Sequence, residues 1–251
     1  MTESTVDGGT WIRRFHPAPE AVTRLVCFPH AGGSATFYFP VSAKLSPDVE
    51  VLTVQYPGRQ DRRNEPPIAD IPALADAVFD ALRPWLGDRP ALFGHSMGAT
   101  VAFEVARRME RHGTPPRVLV ASGRRAPSCH RSENVHLRDD EGLLAELDKL
   151  SGTDARLLAD EELRRMVLPA VRADYRAIET YRLPADTPRL SCPVTVIVGD
   201  DDPQVTLDEA AAWRGHTTGA FDLQIAPGGH FYLTDQPEAT IERLRKALRG
   251  A

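Results

Sequence analysis

The pentapeptide Gly94-His95-Ser96-Met97-Gly98 constrains this chain more than any other stretch of its sequence. It lies between a short apolar run, Ala91–Phe93, and a long apolar stretch that ends near Met109. A Gly-x-Ser-x-Gly sequence between a strand and a helix forms a strained turn that exposes the serine hydroxyl at the edge of a sheet. The two glycines lack side chains, so the strand and the helix can pack closely. The pattern predicts a nucleophile elbow at Ser96.

The same five residues could instead form an ordinary glycine-rich turn in which Ser96 caps a helix. The residues that follow argue against this alternative, because most of them are apolar: Ala99, Val101, Ala102, Phe103, Val105, Ala106 and Met109. A helix of this composition is buried on most of its sides. A buried helix directly after an apolar strand is the context that the elbow requires.

Short apolar runs alternate with helical segments along most of the chain, and each run is typical of a buried strand. The predicted strands are Thr23–Phe28, Val49–Val54, the elbow strand, Arg117–Gly123, Pro193–Gly199 and Phe221–Ile225. Such alternation predicts an α/β fold in which a mostly parallel sheet is flanked by helices. We expect residues 1–251 to form one domain, with ligands bound outside the carboxyl ends of the strands.

The alternation stops between about residues 128 and 188. This segment contains leucines at helical spacing, such as Leu143 and Leu147, and a second helical pattern with Pro169 as a predicted break or kink. Because the segment follows a strand at the edge that carries Ser96, we interpret it as a helical lid. The alternative is that these helices simply pack against the core.

A serine hydroxyl needs a base to take its proton, and the base needs an oriented partner. Hydrolases with this elbow carry the three groups in the order serine, acid, histidine. The chain offers Ser96, then an aspartate run at Asp200–Asp202, then His230 after the last strand. Reasoning from the residues leaves the choice among the three aspartates open.

The other histidines fall into two groups. Five lie in polar surroundings and are expected to be solvated: His16, His112, His130, His136 and His216. His30 and His95 lie beside the expected site, where they could shape the pocket, and their roles stay open.

Acyl transfer also requires two N–H donors for the developing oxyanion. One is expected from Met97, the residue after the nucleophile, and the other from the loop after an early strand. Pro29–Gly33 is that loop, and Ala31 is the expected donor. The alternative for the loop is a plain glycine turn.

Five motifs occur in order between about residues 11 and 248: Phe28-Pro29-His30-Ala31-Gly32-Gly33, Gln55-Tyr56-Pro57-Gly58-Arg59, Gly94-His95-Ser96-Met97-Gly98, Gly199-Asp200-Asp201-Asp202-Pro203 and Gly228-Gly229-His230-Phe231-Tyr232-Leu233. Together they resemble the type II thioesterases, the stand-alone editing enzymes of polyketide and non-ribosomal peptide synthases. The resemblance implies an α/β-hydrolase fold with a helical lid, and hydrolysis of aberrant acyl groups from the phosphopantetheine arm of acyl or peptidyl carrier domains. It also implies a triad of Ser96, Asp202 and His230, with Ala31 and Met97 as oxyanion donors.

Two other functions remain open at this stage. The same triad would serve a general esterase or lactonase, and the chain could also be a carrier-binding module that has lost activity. Carrier domains of the resembled family are generally acidic, so a basic surface would attract them. The candidates are two groups that follow strand ends, Arg59 with Arg62 and Arg63, and Arg124 with Arg125. Alternatively, these arginines form an ordinary solvated surface.

Composition limits the partners, cofactors and cellular compartment that can be expected. The formal net charge of −5 argues against general nucleic-acid binding. Neither an apolar leader nor a stretch of about 18 apolar residues is seen, so no membrane association is expected. Three scattered cysteines fit a reducing cytoplasm. No metal-ligand spacing is present and no cofactor is expected, and we expect a monomer.

Overall fold

The computed structural model describes residues 9–150 and 160–250. The centre of this part of the chain is a seven-stranded sheet. Its strands are β1 (Ile12–Arg13), β2 (Thr23–Phe28), β3 (Val49–Val54), β4 (Ala91–His95), β5 (Leu119–Ser122), β6 (Val194–Gly199) and β7 (Phe221–Ala226). All six predicted strands are present, and β1 adds a short edge strand of two residues.

The strand order is β1-β3-β2-β4-β5-β6-β7, and only the edge pair β1–β3 is antiparallel. The register pairs Phe28 with Gly94 and His95 with Ser122. These residues stand at the carboxyl ends of their strands, so the loops that follow β2, β4 and β5 begin side by side. The predicted α/β class with a mostly parallel sheet is confirmed.

Helices cover both faces of the sheet. They are α1 (Phe39–Leu45), α2 (Ile71–Leu82), α3 (Met97–Arg111), α4 (Asp140–Lys149), α5 (Glu161–Thr180), α6 (Leu207–Ala211), α7 (Tyr232–Asp235) and α8 (Pro237–Arg249). Side chains of α2 and α3 form the core on one face, and side chains of α1 and α8 form it on the other. Strands β3 and β4 are buried at every position, as central strands between two helical layers must be.

Helices α4 and α5 lie between β5 and β6 and have a small apolar cluster of their own. Its members are Val135, Leu143, Leu144, Leu168 and Val171. Asp160 caps helix α5, which continues through Pro169. The break predicted at Pro169 therefore does not occur. Residues 151–159, which belong to the predicted lid, lie outside the described residues, as do residues 1–8 and 251 of the expected domain.

No helix in residues 9–150 and 160–250 combines the length and the apolar character that crossing a bilayer requires.

Candidate active site

Ser96 occupies a strained turn between β4 and α3. Its backbone has φ 54° and ψ −121°, a conformation that costs a residue with a side chain about 1–3 kcal/mol. Its N–H donates to Ser122 O at 2.8 Å, which ties the turn to the end of β5. A Cβ atom at Gly94 would lie 2.1 Å from Gly98 O, and one at Gly98 would lie 2.1 Å from Phe28 O. Only glycine at both positions lets the strand, turn and helix pack as they do.

Asp202 and His230 form a buried pair at the ends of β6 and β7. His230 Nδ1 lies 2.9 Å from Asp202 Oδ2 and 3.0 Å from Oδ1, and the two side chains are 0% and 3% exposed. The N–H of Gln204 also donates to Asp202 Oδ1, at 2.8 Å. A carboxylate at Nδ1 favours the tautomer with the proton on that nitrogen, which leaves Nε2 able to accept a proton.

The other two aspartates of the run point elsewhere. Asp200 is exposed, and its Oδ1 accepts the N–H of Gly228 at 2.8 Å. Asp201 is exposed as well, and its backbone N–H donates to Gly228 O at 3.0 Å. Both residues therefore support the turn before His230, and the structure gives His230 only Asp202 as a partner from this run.

Gly123 lies against the rings of His95 and His230. This glycine follows Ser122, the residue that accepts the Ser96 N–H. A Cβ atom at Gly123 would lie 2.6 Å from His95 Cε1 and 3.4 Å from His230 Cε1. The His230 imidazole thus lies near Gly123 and near the ring of His95, the residue before Ser96. Ser96 is half-buried, and among the described residues its Oγ forms no hydrogen bond, to His230 or to any other group.

The two expected oxyanion donors come from segments in contact. The start of α3 packs on the end of β2, since a Cβ atom at Gly98 would meet Phe28 O and Pro29 O. Ala31 lies in the loop that follows, in a tight turn closed by the Gly33 N–H donating to His30 O at 2.9 Å. Met97 is the first residue of α3, where an N–H has no partner within the helix. This arrangement places the loop that contains Ala31 and the start of α3 at the same edge of the sheet.

A second hydrogen-bonded chain lies behind His230, and the sequence analysis missed two of its members. His95 Nδ1 lies 2.9 Å from Ser122 Oγ, which lies 2.6 Å from the hydroxyl of Tyr232. The His95 and His230 ring centroids are 5.0 Å apart. Burial, and then the neighbouring His230 and His30, lowers the pKa of His95 well below its usual value. His95 is therefore a neutral imidazole beside His230.

His30 forms part of the wall of the site. Its ring makes edge contacts with Phe37 and Phe231, at centroid distances of 4.5 and 4.9 Å. Burial, followed by the charges of His230 and Arg59, lowers the pKa of His30 to about 3. His30 consequently stays neutral near pH 7 and shapes the site as an aromatic ring.

The buried His95 should make the free energy of unfolding depend on pH. Below about pH 6.5 an unfolded histidine binds a proton that folded His95 does not, so unfolding takes up a proton and stability falls as the pH falls. In His95→Gln, the free energy of unfolding from urea titrations between pH 7 and pH 4 should depend less on pH. The expected difference in slope is about 1.4 kcal/mol per pH unit.

His112→Gln, at an exposed position on the far end of α3, is the matched control and should keep the wild-type slope. Equal slopes in the wild type and in His95→Gln would contradict the assignment of a neutral His95.

Three histidines expected to be solvated are instead half-buried and have partners. His16 Nδ1 lies 3.1 Å from Ser42 Oγ, and His216 Nε2 lies 2.9 Å from Ser128 Oγ. The ring of His136 contacts the Glu179 carboxylate. The expectation was wrong for these three because each partner is distant in sequence. His112 and His130 are exposed, as expected.

The two proposed basic groups also differ from expectation. Arg59, Arg62 and Arg125 are buried and paired, with Asp174, Glu65 and Glu133, at 2.9, 2.8 and 2.8 Å. These three guanidinium groups are already neutralised, so they cannot form a docking surface. Arg63 is exposed and Arg124 is half-buried.

No group of three or more histidine, cysteine or acidic side chains that could hold a metal ion occurs in the part of the chain that the structure describes.

The sheet order, the elbow and the buried acid–histidine pair define an α/β-hydrolase. Comparison with known proteins narrows the class. The sequence profile of the family described as thioesterase domain matches residues 23–248. The chain belongs to this thioesterase family and is therefore a hydrolase.

Individual relatives agree with the family assignment. The chain is 56% identical to a probable cadicidin biosynthesis thioesterase of Streptomyces griseus, over 99% of this chain and 68% of that protein. It is also 56% identical to the thioesterase PikA5 of Streptomyces venezuelae, over 92% of this chain and 83% of that protein. The structure of BorB, a type II thioesterase from the borrelidin biosynthetic cluster, superposes with a TM-score of 0.90 at 52% identity, covering 99% of this chain and all of that one. The resemblance to type II thioesterases is confirmed.

Proposed function

We propose that this thioesterase removes acyl groups from the phosphopantetheine arm of acyl or peptidyl carrier domains, and that Ser96, His230 and Asp202 perform the hydrolysis. The observation that carries this proposal is the buried Asp202–His230 pair, which lies at the same edge of the sheet as the strained turn of Ser96. A buried carboxylate held on Nδ1 of a histidine, next to an available serine hydroxyl, is the arrangement that activates a serine nucleophile.

In the first half of the reaction, Ser96 Oγ attacks the thioester carbonyl while its proton passes to His230 Nε2. Asp202 holds the imidazole through Nδ1 and stabilises its positive charge. The carbonyl oxygen becomes an oxyanion, which the N–H groups of Ala31 and Met97 stabilise. The tetrahedral intermediate then collapses: the carbon–sulfur bond breaks, His230 returns the proton to sulfur, and the pantetheine thiol leaves.

In the second half, water attacks the acyl-enzyme and gives its proton to His230 Nε2. The oxyanion forms again at the same donors. Collapse breaks the bond between the acyl carbon and Ser96 Oγ, which regains its proton from His230, and the carboxylic acid leaves. Every proton is carried by His230, so we propose that the reaction needs no metal and no diffusible cofactor.

The relatives support carrier-bound substrates. One is a probable cadicidin biosynthesis thioesterase, and another is a type II thioesterase from the borrelidin biosynthetic cluster. An editing role toward aberrant acyl groups accords with this setting. The alternatives, a general esterase or lactonase and an inactive carrier-binding module, have less support, since the family match covers residues 23–248 and the Asp202–His230 pair is intact.

A side-by-side hydrolysis panel tests the substrate class. The same acyl group would be offered on a carrier protein, on a short pantetheine-like thiol and as an oxygen ester. We expect kcat/KM to be at least about 10-fold higher for the carrier than for the thiol, because docking adds binding energy outside the reacting centre. Equal kcat/KM for carrier and thiol would indicate a general thioester hydrolase, and a preference for the oxygen ester would indicate an esterase.

The exposed Arg63 tests whether charge steers the carrier. Arg63→Glu should reduce kcat/KM for the carrier and leave the short thiol unaffected, because surface charges mainly change the rate of encounter. The effect should shrink between 0.1 and 1 M salt as the Debye length falls from about 10 to about 3 Å. Lys246→Glu, on α8, is the matched control and should change neither substrate.

We propose that residues 128–188 act as a lid over this site. Support comes from the apolar cluster that α4 shares with the first half of α5, which is separate from the two core clusters around the sheet. Elements with little core packing open most readily. Amide exchange in α4 should be faster than in β4 or β5, and should slow when an acyl phosphonate occupies the site. Protection of α4 equal to that of the sheet without ligand would argue against a lid.

We further propose a cytoplasmic monomer. The location is supported by the three free cysteines, of which Cys27 and Cys192 are buried. Sedimentation with and without carrier protein tests the oligomeric state.

A further inference from the structure

A buried ion pair between Arg59 and Asp174 of helix α5 contacts the oxyanion loop, Pro29–Gly33. Arg59 Nη2 donates to Asp174 Oδ1 at 2.9 Å, and the two side chains are 9% and 2% exposed. Asp174 Oδ2 accepts the N–H of Gly32 at 2.8 Å, and Arg59 Nη1 donates to Gly33 O at 3.3 Å. One carboxylate and one guanidinium thus hold two peptide groups that follow Ala31, the Ala31–Gly32 peptide and the Gly33–Ser34 peptide.

Helix α5 also touches the loop by packing. Gly32 has φ +75°, and a Cβ atom there would lie 3.0 Å from Val171 Cγ2. Val171 and Asp174 are three residues apart on α5, so they share one face of the helix. This face sits on the oxyanion loop, with the apolar contact and the carboxylate directed at the same glycine.

The motif Gln55–Arg59 holds the loop on the side that faces the core. Tyr56 donates its hydroxyl hydrogen to Pro29 O at 3.3 Å, and the Gln55 side chain accepts the N–H of Ala35 at 3.0 Å. The Arg59 guanidinium lies 5.3 Å from the centroid of the Tyr56 ring. The loop is therefore clamped between this motif and α5, and Arg59 contacts both sides of the clamp.

A buried ion pair is a poor source of stability, because desolvation of both charges offsets most of their attraction. Here both charged groups also form hydrogen bonds to the backbone of one short loop. Their specific effect is to fix the direction of peptide groups beside Ala31. An oxyanion donor must point at the place where charge develops, and small misplacements reduce its effect.

We propose that Asp174 and Arg59 are positioning residues that aim the Ala31 N–H at the oxyanion, so that the oxyanion hole is complete only while α5 is seated on the loop. This inference rests on the proposed function and deepens it. When α5 lifts, Gly32 loses its acceptor and Arg59 loses its anion, and the loop is free to turn. The lid thereby controls the chemistry as well as access to the site.

Asp174→Asn and Arg59→Lys test this role. Each keeps the approximate size of the side chain but breaks the paired geometry. We expect kcat to fall roughly 10- to 100-fold with KM changed less than about 3-fold, since a loss of one oxyanion donor outright costs about 10²- to 10³-fold. Affinity for an acyl trifluoromethyl ketone, which forms a tetrahedral oxyanion adduct, should fall by the same factor as kcat/KM.

Glu50→Gln is the matched control. Glu50 is buried near the start of β3 and pairs with Arg14 at 2.5 Å, so its substitution disturbs a buried carboxylate whose pairing involves neither the loop nor α5. It should lower Tm while keeping wild-type kcat and ketone affinity. If Asp174→Asn and Arg59→Lys lower Tm but leave kcat and ketone affinity at wild-type values, the inference is overturned. Failure of the proposed function is a separate result, seen as unchanged turnover in Ser96→Ala.

Discussion

Ser96→Ala should fold like the wild type and lose roughly 10⁴-fold or more in kcat, because the proposed reaction passes through an ester of this hydroxyl. Removal of a serine nucleophile typically leaves only the catalysis that binding and the oxyanion hole provide. The substitution deletes one oxygen from a half-buried side chain without changing the turn, so Tm should move little. Steady-state hydrolysis of an acyl-carrier protein and a thermal melt measure both quantities.

Ser191→Ala provides the control for this experiment. Ser191 is exposed and its hydroxyl contacts Glu110, far from the elbow, so kcat should equal that of the wild type. Turnover by Ser96→Ala within about 10-fold of the wild type would remove Ser96 from the mechanism.

Asp202→Asn should lower kcat by roughly 10³- to 10⁴-fold. The amide would donate to His230 Nδ1, so the imidazole would carry its proton on Nε2 and could no longer accept one from Ser96. The fold should survive, because the Asn oxygen can still accept the N–H of Gln204, which now lies 2.8 Å from Asp202 Oδ1. The measurement is kcat against pH, beside a thermal melt.

Asp200→Asn and Asp201→Asn are the matched controls, since they change the adjacent carboxylates in the same way. Both residues are exposed and neither carboxylate touches His230, so kcat should stay within a few fold of the wild type. If Asp200→Asn proved the most damaging of the three while Tm was unchanged, Asp202 would not be the orienting acid.

The sequence was informative wherever structure follows from neighbours along the chain. The elbow is local, because Gly94, Ser96 and Gly98 form one turn and the apolar runs beside them form one strand and one helix. The parallel register then brings strand ends together, so loops predicted to be functional meet at one edge. Reasoning from the residues narrowed the orienting acid only to Asp200–Asp202, since the direction of each side chain depends on the turn after β6, and the family resemblance then selected Asp202.

Contacts between distant residues could not be predicted in the same way. Arg59 and Asp174 are separated by 115 positions, and Ser122 and Tyr232 by 110. A charged residue after a strand is typically solvated, so Arg59 was expected at the surface, whereas a carboxylate from α5 makes its burial possible. The hydrogen-bonded chain behind His230 was missed for a related reason, because nothing in the sequence around Ser122 or Tyr232 indicates that their hydroxyl groups meet.

Covalent labelling tests the central claim most directly. The protein would be treated with a serine-directed acyl phosphonate, digested and analysed by mass spectrometry. The account predicts one equivalent of adduct on the peptide that contains Ser96, slower labelling in Asp202→Asn, and none in Ser96→Ala. An adduct on a different residue, or labelling of Ser96→Ala at the wild-type rate, would contradict it.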